Sequence, residues 1–348
     1  MRICYLPGRE RSYSRTRVFC KAMRDAGIDV LDCSSSRKSF LRYLTSFYKF
    51  LKYKRSSDLI CVGFLGHFIV PAVKMFTRKK VLFDAFVSVH RTMVEDRQRF
   101  KAGGIFAKLA QYIDKRACSL ADRVFVDTEQ DIRYFTERYG IEKKRFCRLY
   151  ASADDSIVYP RPAPPENEFT AAFYGEFQKL HGVSYVIEAA ALLPDVKFIL
   201  IGKGPEHRRC VVRTEELGLK NVVFIPWVEY RKIPDYMARA SVCLGIFGNT
   251  PKTQMVIPIK VYEALAMRKA VITADTPASR ELLTSEESAM LCRGSDGRAL
   301  ADAIRRLRDD PQLRAAIAEK GYDLFKKTCS PAVIGKKIRA VAEEVLAA

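Results

Sequence analysis

Short apolar runs alternate with longer amphipathic segments along most of the chain. Runs rich in β-branched and aromatic residues predict strands, and apolar residues spaced three and four apart predict helices. In the first half the predicted strands are 2–6, 29–31, 58–62, 80–83 and 121–126, and the predicted helices are 16–26, 37–55, 69–76 and 106–120. This alternation predicts an α/β fold with parallel, doubly wound sheets.

A proline-rich segment predicts the position of the domain boundary. Residues 160–168 contain four prolines, which remove backbone donors and favour an extended linker. We therefore predict one domain over 1–159 and another over 169–329, with a last helix in 330–348 that packs back toward the first domain. A chain of 348 residues with 48% hydrophobic composition is long enough to bury two cores.

Residues 257–282 are the most informative stretch. They predict a helix with one apolar face, formed by Ile257, Val261, Ala264 and Leu265. The same helix carries Glu263, and the run 270–273 after it predicts a buried strand. A second helix is expected to begin at Pro277. A carboxylate at the C-terminal edge of a parallel sheet is well placed to bind the hydroxyls of a nucleotide.

This stretch resembles the signature of family-4 retaining glycosyltransferases of the group 1 type. Segments 171–193, 196–206 and 221–247 are similar, in order and spacing, to that family's phosphate-loop strand, Gly-x-Gly turn and base-binding loop. The resemblance implies the GT-B fold, in which two Rossmann-like doubly wound domains face a central cleft. It also implies transfer, with retention, from a UDP- or GDP-type sugar to a lipid-linked or glycan acceptor. The donor is a substrate, and no cofactor or metal is expected.

The resemblance implies roles for individual residues of the second half. Glu263 would hold the ribose, and Lys260 and Val261 belong to the same motif. Gly175 and Gly182 frame the phosphate loop, and Gly202 and Gly204 allow close backbone approach to a ligand. The base-binding loop would include Pro226, Trp227 and Val228. Trp227 would either stack on the base or pack the loop.

Two departures from the family pattern affect the predicted site. Where members usually carry a second Glu, eight positions before Glu263, this chain has Met255. The neighbouring Thr253 and Gln254 could offer hydrogen bonds to the donor instead.

In the phosphate loop, Glu176 replaces the usual Arg and His181 replaces the usual Lys. His181 could still donate to a phosphate, helped by Lys179 and by the N-terminus of the following helix. The alternative is that His181 only begins that helix. These departures also keep open a GT-B subunit that is weakly catalytic or inactive and binds a nucleotide-sugar or a partner without turnover.

In the first half the resemblance is looser. Gly8 follows the first strand, in a turn that often faces a ligand phosphate. Asp84 lies where many members have a His, and it could orient the sugar or assist proton transfer. Asp84 could equally be a helix or turn cap. His67 and His90 are secondary candidates.

The positive charge is concentrated in the first half. The chain has a formal net charge of +20, and residues 1–159 hold 32 Lys and Arg against 17 Asp and Glu. Within them, the predicted helix 37–55 has an apolar face flanked by cations, the composition of a helix that lies on an anionic membrane. Its apolar face consists of Phe40, Leu44, Phe47, Tyr48 and Leu51. A core-packing helix, or charge that serves only solubility, would explain the same pattern.

Other classes of function find little support. The ten cysteines form no Cys-x-x-Cys pair, which favours reduced thiols in the cytoplasm. No Gly-x-x-x-x-Gly-Lys loop occurs, and no acidic residues have metal-binding spacing. Nucleic-acid binding rests on charge alone and is not expected. No apolar run is long enough to span a bilayer. From the basic helix 37–55 we expect a cytoplasmic protein that is peripheral on the inner membrane face.

Overall fold

A computed structural model describes residues 1–37, 39, 41–162 and 168–348. Phe40 of the predicted basic helix and residues 163–167 of the predicted linker lie outside the described residues. The chain divides into two compact units, one formed by Met1–Asp154 with Cys329–Ala348 and the other by Asp155–Thr328.

The first unit contains a six-stranded parallel sheet with the order β2-β1-β3-β4-β5-β6. Its strands are β1 (Arg2–Leu6), β2 (Asp29–Asp32), β3 (Leu59–Val62), β4 (Val81–Phe86), β5 (Arg123–Val126) and β6 (Phe146–Arg148). Its helices are α1 (Ser14–Asp25), α2 (Leu41–Tyr53), α3 (Ile69–Phe76), α4 (Ile105–Leu120) and α5 (Glu129–Tyr139). β3 is fully buried, as expected of a strand covered by helices on both faces of a parallel sheet.

The second unit repeats this architecture with the sheet order β12-β11-β10-β7-β8-β9. Its strands are β7 (Thr170–Tyr174), β8 (Lys197–Ile201), β9 (Val222–Ile225), β10 (Val242–Leu244), β11 (Ala270–Ala274) and β12 (Met290–Cys292). Its helices are α6 (Val183–Ala191), α7 (His207–Glu216), α8 (Ile233–Arg239), α9 (Ile259–Ala266), α10 (Gly297–Asp309) and α11 (Pro311–Leu324). The predicted α/β fold with parallel sheets is confirmed.

The last helix, α12 (Pro331–Ala347), belongs to the first unit and packs along α1. A Cβ on Gly335 would lie 2.0 Å from the carbonyl oxygen of Ala22, so glycine is required for the two helices to approach this closely. Arg339 donates a 2.9 Å hydrogen bond to the carbonyl oxygen of Ala26, at the end of α1. Within the described parts of the chain, no helix is long and apolar enough to cross a bilayer.

The prediction of a helix that begins at Pro277 is wrong. The structure has only a short 3-10 turn at Ser279–Glu281. The Ser279 hydroxyl donates to the carbonyl oxygen of Ala274 and accepts from the backbone N–H of Thr276. Local side-chain bonds of this kind satisfy the backbone outside a helix and compete with helix formation.

Candidate functional site

The candidate site lies at the C-terminal ends of β7, β8 and β9 in the second unit. The strand order reverses direction beside β7, because β8 follows it on one side and β10 lies on the other. Ligands of open parallel sheets bind at such a switch point. The loops after β7 and β10 are joined there, since Phe247 N–H donates to the carbonyl oxygen of His181 and Gly248 N–H to that of Leu180.

Glycines let the loops after β7 and β8 touch. Gly175 and Gly202 have φ values of +141° and +136°, which side chains rarely allow. A Cβ on Gly202 would lie 2.0 Å from the carbonyl oxygen of Gly175, and one on Gly204 would lie 2.5 Å from the backbone nitrogen of Phe177. The backbones of the two loops are therefore in direct contact, with no room for a side chain between them.

A cavity of about 460 Å³ opens at these loops and brings together seven of the residues predicted from the sequence. Its lining includes Gly175, Glu176, Gly202, Gly204, Pro226, Trp227 and Val228. Trp227 is 72% exposed, so its indole packs little of the protein and is accessible to a ligand.

Glu263 is buried on α9 and is linked to the cavity by Tyr230. Its carboxylate accepts a 2.5 Å hydrogen bond from the Tyr230 hydroxyl, and Tyr230 lines the cavity. Sequence reasoning did not find Tyr230. The only signal was an aromatic residue with a hydroxyl three positions after Trp227, and nothing in the spacing connects it to α9.

Lys260 brings a buried amino group to the same loops. It is 7% exposed, its Nζ lies 3.8 Å from the centre of the Phe173 ring, and it has no hydrogen-bond partner in the described chain. A Cβ on Gly175 would lie 3.0 Å from this Nζ. Burial lowers the pKa of Lys260 well below its usual value. An anion against Gly175 would supply the missing partner.

His181 lies next to Lys260 and just before α6. Its Nδ1 donates to the carbonyl oxygen of Glu176, which leaves Nε2 available. Burial, and then the positive charge of Lys260, lower the pKa of His181 well below its usual value. The imidazole is therefore neutral in the absence of a ligand at neutral pH.

Four other predicted residues of this unit lie around the cluster. Gly182 has a φ of +63° at the start of α6, where a Cβ would lie 2.5 Å from the backbone of Gly248. Thr253 is fully buried, and its hydroxyl lies 3.4 Å from the carbonyl oxygen of Leu180. Val261 is buried against Gly245, and Lys179 is exposed.

Asp84 and Gly8, the predicted site residues of the first unit, have internal partners. Asp84 is fully buried and accepts bonds of 2.9 and 2.6 Å from Arg15. The N–H of Gly8 donates to the carbonyl oxygen of Phe64. His67 is buried 3.5 Å from Asp114, and burial lowers its pKa. Among the described residues, no group of three His, Cys, Asp or Glu could hold a metal ion.

Comparison with known sequences concerns mainly the second unit. Residues 159–324 match the family described as glycosyl transferases group 1. The chain is 26% identical over 282 residues to alpha-D-kanosaminyltransferase of Streptomyces kanamyceticus, which covers 79% of this chain and 64% of that protein. It is 27% identical over 184 residues to the lipopolysaccharide core biosynthesis glycosyltransferase LpsD of Rhizobium meliloti, covering 50% and 52%. The chain thus spans about half to two thirds of these relatives.

Solved structures show the fold. Sucrose-phosphate synthase of Thermosynechococcus elongatus superposes with a TM-score of 0.77 at 16% identity, covering 100% of both chains. Anabaena HepE in complex with UDP gives a TM-score of 0.74 at 16% identity, covering 99% of this chain and 100% of that one. The predicted GT-B fold is confirmed.

Proposed function

We propose, on the premise that this chain belongs to the group 1 glycosyltransferases through residues 159–324, that it transfers a sugar from a nucleotide-diphosphate sugar. The second unit would bind the donor. The observation that carries this proposal is the buried amino group of Lys260, which faces Gly175 without a hydrogen-bond partner in the described chain. A charge in that state is unfavourable unless an anion binds beside it.

The diphosphate would lie against Gly175, between Lys260 and the start of α6. Lys260 would pair with it, His181 Nε2 would donate to it once protonated, and the first N–H groups of α6 would face it. Lys179, exposed on the same loop, would add positive charge. Bond cleavage would be assisted mainly by stabilising the charge of the departing diphosphate, a role these groups would fill without a metal.

Glu263 would accept hydrogen bonds from the ribose hydroxyls, and the loop Pro226–Val228 would contact the base. Support for uridine comes from Anabaena HepE, which was solved with UDP and with UDP-glucose. A guanine nucleotide is the alternative. Transfer with retention rests on the family resemblance.

The acceptor would be a lipid-linked or other glycan at the cytoplasmic membrane face. Relatives named for lipopolysaccharide core, teichuronic acid and colanic acid biosynthesis support this class of acceptor. Contact with the anionic bilayer would be made through the basic segment 37–55, whose described helix is α2. Asp84 would orient the sugar or move a proton, and Gly8 would face the donor.

The test is a thermal-shift panel of UDP-, GDP-, ADP- and dTDP-sugars. A ligand at 100 times its Kd stabilises a protein by about 2.7 kcal/mol, which shifts Tm by a few degrees at this size. We expect one base class to shift the native chain, and neither Glu263→Ala nor Lys260→Met to respond. No shift with any nucleotide would contradict the proposal.

A second candidate, binding without turnover, is favoured by Met255, which is half-buried where members carry a carboxylate. Release of sugar from the donor that binds, measured with and without glycan acceptors, separates the two. Stabilisation with no turnover would favour the binding protein.

A further inference from the structure

Three consecutive helices of the first unit carry large apolar side chains on the side that faces solvent. On α2 these are Leu41, Leu44, Tyr48 and Leu51, exposed by 40 to 72% and spaced as one stripe. On α3 they are Met75 and Phe76, with Phe68 just before it, and on α4 they are Ile105, Phe106, Leu109 and Tyr112. Helices that cover a sheet normally present polar residues outward.

The three stripes adjoin one another. The rings of Phe47 on α2 and Phe76 on α3 lie 5.3 Å apart, and α3 packs against α4. Right-handed connections from β2 through β5 place all three helices on one face of the sheet. We call their outer side the α2–α4 surface. Between α2 and α3 it contains an apolar groove of about 530 Å³ that opens beside Leu44 and Phe68.

The charges on this surface have one sign. α2, α3 and α4 together contain seven Lys and Arg, and their one acidic residue, Asp114, is buried. Residues 37–120 as a whole hold eighteen Lys and Arg against five Asp and Glu, a net of +13 out of the chain's +20. Lys52, Lys108 and Lys115 are exposed among the apolar stripes.

Two other helices of the same unit serve as an internal comparison. α5 continues the row after α4, yet it has no exposed large apolar residue and carries Glu129 and Glu137 on its accessible side. α1 likewise has none. Among helices α1–α5, the combination of exposed large apolar residues and cations is thus confined to α2–α4.

We propose that the α2–α4 surface docks on an anionic phospholipid bilayer, with α4 inserting as deeply as α2 and the groove receiving lipid hydrocarbon. The proposed function places one helix, α2, on the membrane, and this inference extends the contact to three helices. It rests on the membrane-face location given in the proposed function. Cations that flank exposed apolar side chains suit an interface of anionic headgroups over acyl chains. A second copy of the chain fits worse, because it would bring two cationic faces together.

The experiment measures sedimentation of the full chain with vesicles of phosphatidylcholine, alone and mixed with phosphatidylglycerol. Three double variants are compared with the native chain: Phe106→Ser/Leu109→Ser on α4, Leu44→Ser/Tyr48→Ser on α2, and Val212→Ser/Leu346→Ser as a control at exposed apolar positions elsewhere. Each substituted side chain is exposed, so the fold is expected to persist, and Tm confirms it for each variant.

We expect binding only to the anionic vesicles and weaker binding in high salt. The α4 variant should lose about tenfold or more in affinity for the vesicles, as should the α2 variant. Each variant removes two apolar side chains that the bilayer would otherwise bury. The control should bind like the native chain.

An α4 variant that binds normally while the α2 variant does not would overturn the three-helix surface and leave the α2 contact standing. A dimer in solution that the α4 variant dissociates, with no vesicle binding, would assign the surface to a second copy instead. Nucleotide-induced thermal shifts, measured on the same proteins, report on the donor site independently.

Discussion

The hydroxyl of Tyr230 donates a 2.5 Å hydrogen bond to the carboxylate of Glu263, joining the loop after β9 to α9. This bond orients the carboxylate from the side of the cavity. Tyr230→Phe should therefore weaken UDP binding, by up to about a hundredfold, since a hydrogen bond to a charged group is worth about 1.5–3 kcal/mol. Glu263→Ala should weaken it more. Isothermal titration with Tyr236→Phe as the control measures both, and tighter binding by Tyr230→Phe would contradict the assigned role.

Lys260 should oppose stability and support binding. Its amino group is buried beside Phe173 with its pKa lowered, so an apolar side chain of similar length is better tolerated there. Lys260→Met should raise the unfolding free energy of the unliganded protein by about 1 kcal/mol or more and abolish UDP-glucose binding. Lys203→Met, at an exposed lysine that lines the cavity beside Gly175, should leave stability unchanged. Urea unfolding decides, and a destabilised Lys260→Met would refute the prediction.

Donor binding should take up protons. The pKa values of Lys260 and His181 lie below their ordinary values of 10.5 and 6.5 in the unliganded protein. The unfolded chain therefore holds more protons. The unfolding free energy should rise with pH over the range in which each group is protonated only in the unfolded chain, and for His181 this range ends at about pH 6.5. A bound diphosphate favours the protonated forms, so UDP-glucose affinity should rise as pH falls.

Calorimetry of UDP-glucose binding in two buffers of different ionisation enthalpy counts these protons. UDP-glucose is suitable because its diphosphate has no proton to lose near neutral pH. His181→Asn should reduce the uptake near pH 6. Proton release, or no pH dependence, would show that neither group faces the diphosphate.

Gly202 should tolerate no side chain. A Cβ there would lie 2.0 Å from the carbonyl oxygen of Gly175, and φ is +136°. Gly202→Ala should lower the unfolding free energy by about 3 kcal/mol, combining backbone strain with overpacking, and should disrupt nucleotide binding. Gly218→Ala is the matched control, since φ is +61° and nothing lies within 4 Å of its Cβ. It should cost about 1 kcal/mol and leave binding intact, so equal losses in the two variants would contradict the backbone contact.

The proposed role of Asp84 can be separated from its ion pair with Arg15. Asp84→Ala leaves a buried guanidinium without its carboxylate and should cost about 3–5 kcal/mol. Arg15→Met/Asp84→Leu should recover most of that stability, because both charges are removed together. If Asp84 acts on the sugar, the double variant should bind UDP-glucose yet fail to release glucose. Recovered turnover would make Asp84 purely structural.

Much of the candidate site could be predicted from the sequence because its residues directly follow the ends of strands. Apolar runs mark β7, β8 and β9, and the glycines and Trp227 follow them directly. Spacing could not reveal that Tyr230 reaches Glu263, since that contact depends on how α9 packs. The prediction of a helix at Pro277 failed because the hydroxyls of Thr276 and Ser279 accept hydrogen bonds from each other's backbone N–H groups.

The outward stripe of α4 shows a different limit. The periodicity of this helix contains two apolar faces, one of small residues and one of large residues. The structure buries Ala107, Ala110 and Ala117 and leaves Phe106 and Leu109 exposed. A hydrophobicity scale ranks the faces the other way, because it scores side-chain size and not the close approach of a helix to its sheet.

The packing of α12 on α1 has a consequence for synthesis. The bond from Arg339 to Ala26 joins residues 313 positions apart, whereas the second unit consists of one uninterrupted segment. On the ribosome, residues 155–328 are complete before α12 emerges. The second unit can therefore fold before the first unit is complete, and the surface of α1 that α12 covers stays uncovered until that helix has left the ribosome.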